Sequence, residues 1–120
     1  MTLDLAPFEK EEYCYLTTQG RKTGKPHEVE IWFTIHENKV YLLSGGMDKS
    51  DWVKNLLQDP NVTLRLADQT FSAIASLLED KELEPMIRMA MAIKYDEWEG
   101  QDPSEWARTA LVVRFEPQSS

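Results

Sequence analysis

The chain's 120 residues, 42% hydrophobic and 28% charged, fit one globular domain over 1–120 with one core and leave no room for a multidomain enzyme. Its net charge of -8 argues against a nonspecific nucleic-acid coat and against an anionic membrane surface, since both select basic proteins. The single Cys14 excludes an intrachain disulfide framework, and with no signal-peptide pattern and no apolar run near the ~20 residues that span a bilayer, a soluble protein of the reducing cytoplasm is expected.

Tyr13-Cys-Tyr-Leu-Thr-Thr18 is aromatic and β-branched and reads as a first strand. Gly20-Arg-Lys-Thr-Gly24-Lys-Pro26 follows as a loop punctuated by glycine and proline. From His27 to His36 the pattern alternates, with Val29, Ile31, Phe33 and Ile35 on one face, predicting a half-buried second strand. Glu37-Asn38-Lys39 turns the chain into a third strand, Val40–Ser44, ended by Gly45-Gly46. Ser50-Asp51 is placed to cap a short helix with Trp52, Val53, Leu56 and Leu57 on one face, stopped by Pro60. A second hairpin is predicted from Asn61–Ala67 and Thr70–Ser76. Glu79–Tyr95 carries Leu83, Met86, Ile87, Ala90 and Met91 at helical spacing, and the methionines Met86, Met89 and Met91 read as helix packing. Asp102-Pro103-Ser-Glu105 has the makings of a capped turn of helix around Trp106, and Thr109–Phe115 is apolar enough for a buried last strand. Six strands, mostly in hairpins, with one substantial helix near the end, predict a mainly β (α+β) antiparallel barrel rather than a doubly wound parallel sheet.

Two segments carry chemistry. Gln19–His27 holds Arg21, Lys22 and Lys25 with no acid among them, offering a guanidinium, two ammonium groups and flexible backbone amides to an anion. It lacks the spacing of a Walker loop, and a solvated turn is the plainer reading. Ser44-Gly-Gly-Met-Asp-Lys-Ser-Asp-Trp52 runs from a strand end to a helix N-terminus, where backbone N–H groups and the helix dipole favour an anion and Lys49 adds a charge. The bland alternative is an ordinary connection. Trp32 falls on the polar side of its strand, so it packs under another element, lies against a ring-shaped ligand, or faces a partner subunit. Trp98 and Trp106 are candidates for a hydrophobic rim. His27 and His36 sit at opposite ends of one predicted strand and suggest neither a metal pair nor a triad, and Cys14 reads as a core thiol. An enzyme built from these residues needs a cofactor to carry the hard chemistry.

Leu16-Thr-Thr-Gln-Gly-Arg-Lys-Thr-Gly-Lys-Pro26, Ser44-Gly-Gly and Trp52-Val-Lys-Asn-Leu-Leu-Gln-Asp-Pro-Asn-Val62 together resemble the deazaflavin-dependent nitroreductase family of the flavin/deazaflavin oxidoreductase superfamily. The likeness covers about Tyr13 to Ala75 and continues in outline beyond it. It implies a six-stranded antiparallel split β-barrel like that of pyridoxamine 5'-phosphate oxidase, with a short helix after the third strand and a longer C-terminal one. It also implies that Arg21, Lys22, Thr23, Ser44, Gly45, Gly46, Lys49 and Trp52 hold the cofactor, coenzyme F420 or, alternatively, FMN. A hydride would then pass to a small organic acceptor such as a quinone, nitro compound or enone. Two departures bear on the cofactor: Ser50-Asp51 stands where relatives often have His-Pro, and Val29-Glu-Ile-Trp-Phe33 looks more like a sister branch that uses diverse flavins. Ser44 is a candidate to stabilise developing charge on a substrate oxygen, against phosphate binding alone, and Tyr95 a candidate proton donor, against core packing. A homodimer without nucleic-acid or membrane partners is expected, and a non-catalytic flavin-binding or storage module and a structural dimer with a vestigial site are the other readings.

Overall fold

A computed structural model describes residues 4–45, 49–100 and 104–118. The candidate cofactor contact at Gly46 and the predicted Asp102-Pro103 cap lie outside the described residues. After a 3-10 turn at Ala6–Lys10 come β1 (Tyr13–Gln19), β2 (Pro26–Trp32), β3 (Thr34–His36), β4 (Lys39–Ser44) and α1 (Asp51–Gln58). Then follow β5 (Asn61–Leu66), β6 (Gln69–Leu77), α2 (Leu83–Glu99), α3 (Ser104–Thr109) and β7 (Leu111–Pro117). The strands form one antiparallel sheet in the order β2-β1-β5-β6-β7-β4-β3. The architecture is the expected mainly β split barrel, but with seven strands rather than six.

The extra strand has a local cause. The alternating run predicted as one strand breaks at Phe33, so that β2 pairs with β1 while β3 pairs with β4. Side chains take up the backbone groups that a continuous ladder would have used: Lys94 Nζ donates to the Phe33 carbonyl at 3.0 Å, and Glu9 accepts from the Ile35 N–H at 2.7 Å and from Thr34 Oγ1 at 3.0 Å. β2 and β3 stand at opposite ends of the strand order although one residue separates them, so the two edges are halves of one bent run and the sheet curls back toward itself. The β3–β4 hairpin turns on Glu37 and Asn38, both at positive φ (49° and 61°), the geometry that matches the right-handed twist of the flanking strands.

Period-2 alternation sorts the strands' side chains into two apolar groups. Leu16, Phe33, Val40, Leu42, Leu64 and Phe115 are among those filling the barrel, whereas Tyr41, Leu43 and Val112 point outward beneath Ile87 and Met91 of α2. β4 is therefore buried on both faces. α2 begins four residues later than predicted and runs on to Glu99, ended by Gly100 at φ 67°, whose N–H reaches the Asp96 carbonyl at 2.8 Å. Its inward side is Ile87, Met91 and Lys94; Met86 and Met89, expected to pack, are 56% and 66% exposed because they lie off that stripe. On α1, Val53 and Leu56 are buried as predicted, Leu57 is exposed, and Asn55 takes an inward position.

Candidate cofactor site

The basic loop between β1 and β2 is closed on itself. Gly20 N–H donates to the Lys25 carbonyl at 2.8 Å and Gly24 N–H to the Gly20 carbonyl at 2.9 Å, while Gln19 Nε2 donates to the Gly24 carbonyl and Thr23 Oγ1 accepts from the Lys25 N–H at 3.3 Å. A Cβ on Gly20 would lie 2.7 Å from the Lys25 carbonyl oxygen and 2.8 Å from His27 Cδ2, so this closure requires glycine.

The loop docks on α1 through Asn55, which the sequence-level site did not include. Asn55 is buried; its Nδ2 donates to Thr18 Oγ1 at 3.0 Å, and its Oδ1 accepts from Arg21 Nη1 at 2.8 Å and from the Arg21 N–H at 3.3 Å. Arg21 Nη2 lies 3.3 Å from Asp51 Oδ1, so one guanidinium is shared between a buried amide and an exposed carboxylate. The sequence carried no clear signal for Asn55, which lies beside the predicted apolar face of a half-polar helix and is turned inward by the tertiary fold. Gly20, Arg21, Lys22, Thr23, His27, Asp51 and Asn55 together line a cleft of about 240 Å³.

Ser44 is buried at the end of β4, with its hydroxyl 2.8 Å from that of Ser50. Ser50 was expected to cap α1, yet its side chain makes no cap hydrogen bond and meets Ser44 instead. Trp106 Cδ1 approaches to 3.3 Å of the place a Gly45 Cβ would occupy. From Trp106 an aromatic ladder continues through Tyr95 (5.6 Å between centroids) and Trp32 (5.1 Å) to Tyr13 (5.1 Å). The structure thus connects the two candidate catalytic elements through Trp106, and it packs Trp32 within its own chain. Lys49 is exposed, and Trp52 is half-buried against the barrel core rather than lining the cleft. Trp98 is half-exposed and borders a separate open groove of about 700 Å³ with Glu9, Lys10, Ala90, Ile93, Lys94 and Glu97.

Among the described residues, three buried groups depart from their ordinary titration: Tyr41, raised chiefly by burial, Lys94 and Cys14. Burial lowers Lys94 to about 8, opposed chiefly by Glu9, and its ammonium sits 3.5 Å above the centre of the Phe33 ring. Burial pushes the Cys14 thiol up to about 12, which leaves it protonated and inert as a nucleophile.

The donor set in the small cleft suits an anion of modest charge: a guanidinium held in place, an ammonium group, and the first turn of an eight-residue helix. Its size is enough for a phosphate group. The curled sheet with this loop beside its short helix defines a split-barrel protein with a candidate anion site. A family model for F420H(2)-dependent quinone reductases matches residues 5–114, and the chain belongs to that family. It is an F420-dependent oxidoreductase. Among solved structures it is similar to HutZ, the heme storage protein of Vibrio cholerae (21% identity, TM-score 0.75, covering 98% of this chain and 93% of that one). It is similar as well to a conserved hypothetical protein of Mycobacterium tuberculosis (20%, TM-score 0.71, 92% and 76%) and to an F420-H2 dependent reductase, FDR-A (21%, TM-score 0.70, 97% and 98%). At such identities these likenesses establish the shared fold alone, and a heme storage protein among them shows that the fold accepts more than one ligand.

Proposed function

We propose that residues 1–120 act as one unit that binds reduced F420 in the loop–α1 cleft and passes its hydride to a small organic acceptor of the quinone, nitro or enone type. The observation that carries this reading is the Arg21 guanidinium, fixed by the buried Asn55 at the mouth of a phosphate-sized cleft. When bound, the reduced deazaflavin supplies the hydride. The chain's own residues bind and orient. Arg21 and Lys22 neutralise the phosphate, Thr23 holds the shape of the loop through the Lys25 N–H, and the Ser44–Ser50 hydroxyl pair fixes the β4 end against the start of α1. Gly45 and Lys49 border the same connection, and Trp52 anchors α1 to the core behind it; Gly46 stays in the proposed site from the sequence alone.

For the acceptor, Ser44 and Tyr95 are the candidate catalytic groups, one to stabilise charge on the acceptor's oxygen and the other to deliver a proton. Replacing Ser44 by Ala and Tyr95 by Phe, with turnover of a quinone measured at saturating F420, tests the pair. A loss of turnover and of kcat/KM together supports a role in the chemical step, and full turnover in both variants rejects it. Arg21→Ala tests the site, with an expected ten- to hundredfold loss of F420 affinity, the scale of a charge-assisted hydrogen bond; unchanged affinity rejects it. The lone, buried Cys14 suits work in the reducing cytoplasm, and the exposed apolar side of α2 suits a homodimer.

A further inference from the structure

Among the described residues, two cations, Arg21 and Lys22, and one anion, Asp51, line the cleft, and the Asp51 carboxylate already occupies a terminal nitrogen of the Arg21 guanidinium at 3.3 Å. Asn55 holds the other terminal nitrogen at 2.8 Å from inside the protein, so the guanidinium cannot turn away from Asp51 without breaking a buried contact. Each terminal nitrogen carries a second N–H, which leaves Arg21 able to meet an incoming anion. That anion must then sit beside the Asp51 carboxylate, and the repulsion grows in proportion to its charge. A phosphodiester, as in the side chain of F420, carries one negative charge; a phosphomonoester, as in FMN, carries nearly two at neutral pH.

We propose that Asp51 is a specificity-determining residue that matches the cleft to a singly charged phosphodiester and selects against a doubly charged phosphomonoester. The rejection of FMN comes from a built-in like charge rather than from an added contact to F420. The proposal rests on the cofactor site described under the proposed function, and the test separates the two.

The test is a binding titration of F420, with FMN read by direct titration and by displacement of F420, at pH 7.5 and low ionic strength. It compares the wild type with Asp51→Asn, Asp51→Glu and Arg21→Ala. Asp51 is exposed, its side chain being 88% accessible, so its replacement leaves the core untouched. Asp51→Asn is expected to tighten FMN about three- to tenfold, the range for like charges near a wet surface, and to tighten F420 by a smaller factor. Asp51→Glu should restore the wild-type preference, and added salt should shrink the difference. Equal tightening of both ligands by Asp51→Asn, or no change in FMN binding, overturns the proposal while a weakened Arg21→Ala still upholds the site. Arg21→Ala with both affinities unchanged overturns the site and the proposal with it.

Discussion

Asn55 and Lys94 show how single buried polar groups organise this molecule. Asn55 satisfies Thr18 and Arg21 at once, so Asn55→Ala strands both partners and should lower stability by about 1–3 kcal/mol, the cost of an unmet buried hydrogen bond, as read in denaturant unfolding. Asn55→Asp keeps an acceptor for Arg21 but buries a carboxylate in the lining of the cleft, so it should not rescue the F420 affinity lost in Asn55→Ala. Lys94 acts through pH. Its folded value of about 8 lies below the ordinary 10.5, so between those values the unfolded chain holds more protons than the folded one, and stability rises with pH across that window. Cys14 works in the opposite sense at higher pH, because its folded value of about 12 exceeds the ordinary 9.0 and the unfolded chain loses that proton first. The difference in unfolding free energy between the wild type and Lys94→Met isolates the lysine. It should grow in the wild type's favour from pH 8 to 10.5, and a flat difference would show that the ammonium is not desolvated. Both residues were hard to see in the sequence, since an Asn in a short helix and a Lys in a longer one are ordinarily solvated, and only the tertiary fold turns these two inward.

At the scale of elements, the basic loop and the bend at Phe33 carry the structure's information. Gly20→Ala forces a Cβ within 2.7 Å of the Lys25 carbonyl, so the loop must open. The expected result is a weakened F420 affinity with the barrel's unfolding midpoint nearly unchanged, because the loop lies outside the core; equal loss of both would place the loop in the folding core instead. The strands were legible as alternating or continuous apolar runs: the hairpins β3–β4 and β5–β6 and the terminal β7 lie within a few residues of the runs that predicted them. The bend at Phe33 was not, because the residues flanking it alternate without interruption and the break is imposed from outside by Glu9 and Lys94. The periodicity of α2 was legible but not its inward stripe. Met86 and Met89 satisfy the same helical spacing as Ile87 and Met91, and sequence cannot say which of two adjacent stripes meets the sheet.

At the scale of the whole molecule, that second stripe leads to the remaining prediction. Met86, Met89 and Ile93 are each more than half exposed along one face of α2, and Ile93 lines the open groove beside the N-terminal turn. A solvated helix is not usually lined this way, whereas an interface centre, enriched in Met and aromatic side chains and poor in charge, is. The homodimer was first suggested by Trp32, but that ring packs against Tyr13 and Tyr95, so the surface that a second copy would cover moves to α2. Two α2 stripes meeting across a two-fold axis would bring the same residues of each copy together, which is the closed arrangement a homodimer favours. Charge placed there should break it: Met89→Glu with Ile93→Glu sets like charges face to face in an apolar contact, while both sites, exposed in the single chain, leave the fold intact. Sedimentation should then give a mass near twice 13.9 kDa for the wild type and 13.9 kDa for the double variant, with F420 affinity retained because the loop–α1 cleft lies within one chain. A wild type at 13.9 kDa across the whole concentration range would reject the dimer, and a dimeric double variant would place its interface elsewhere.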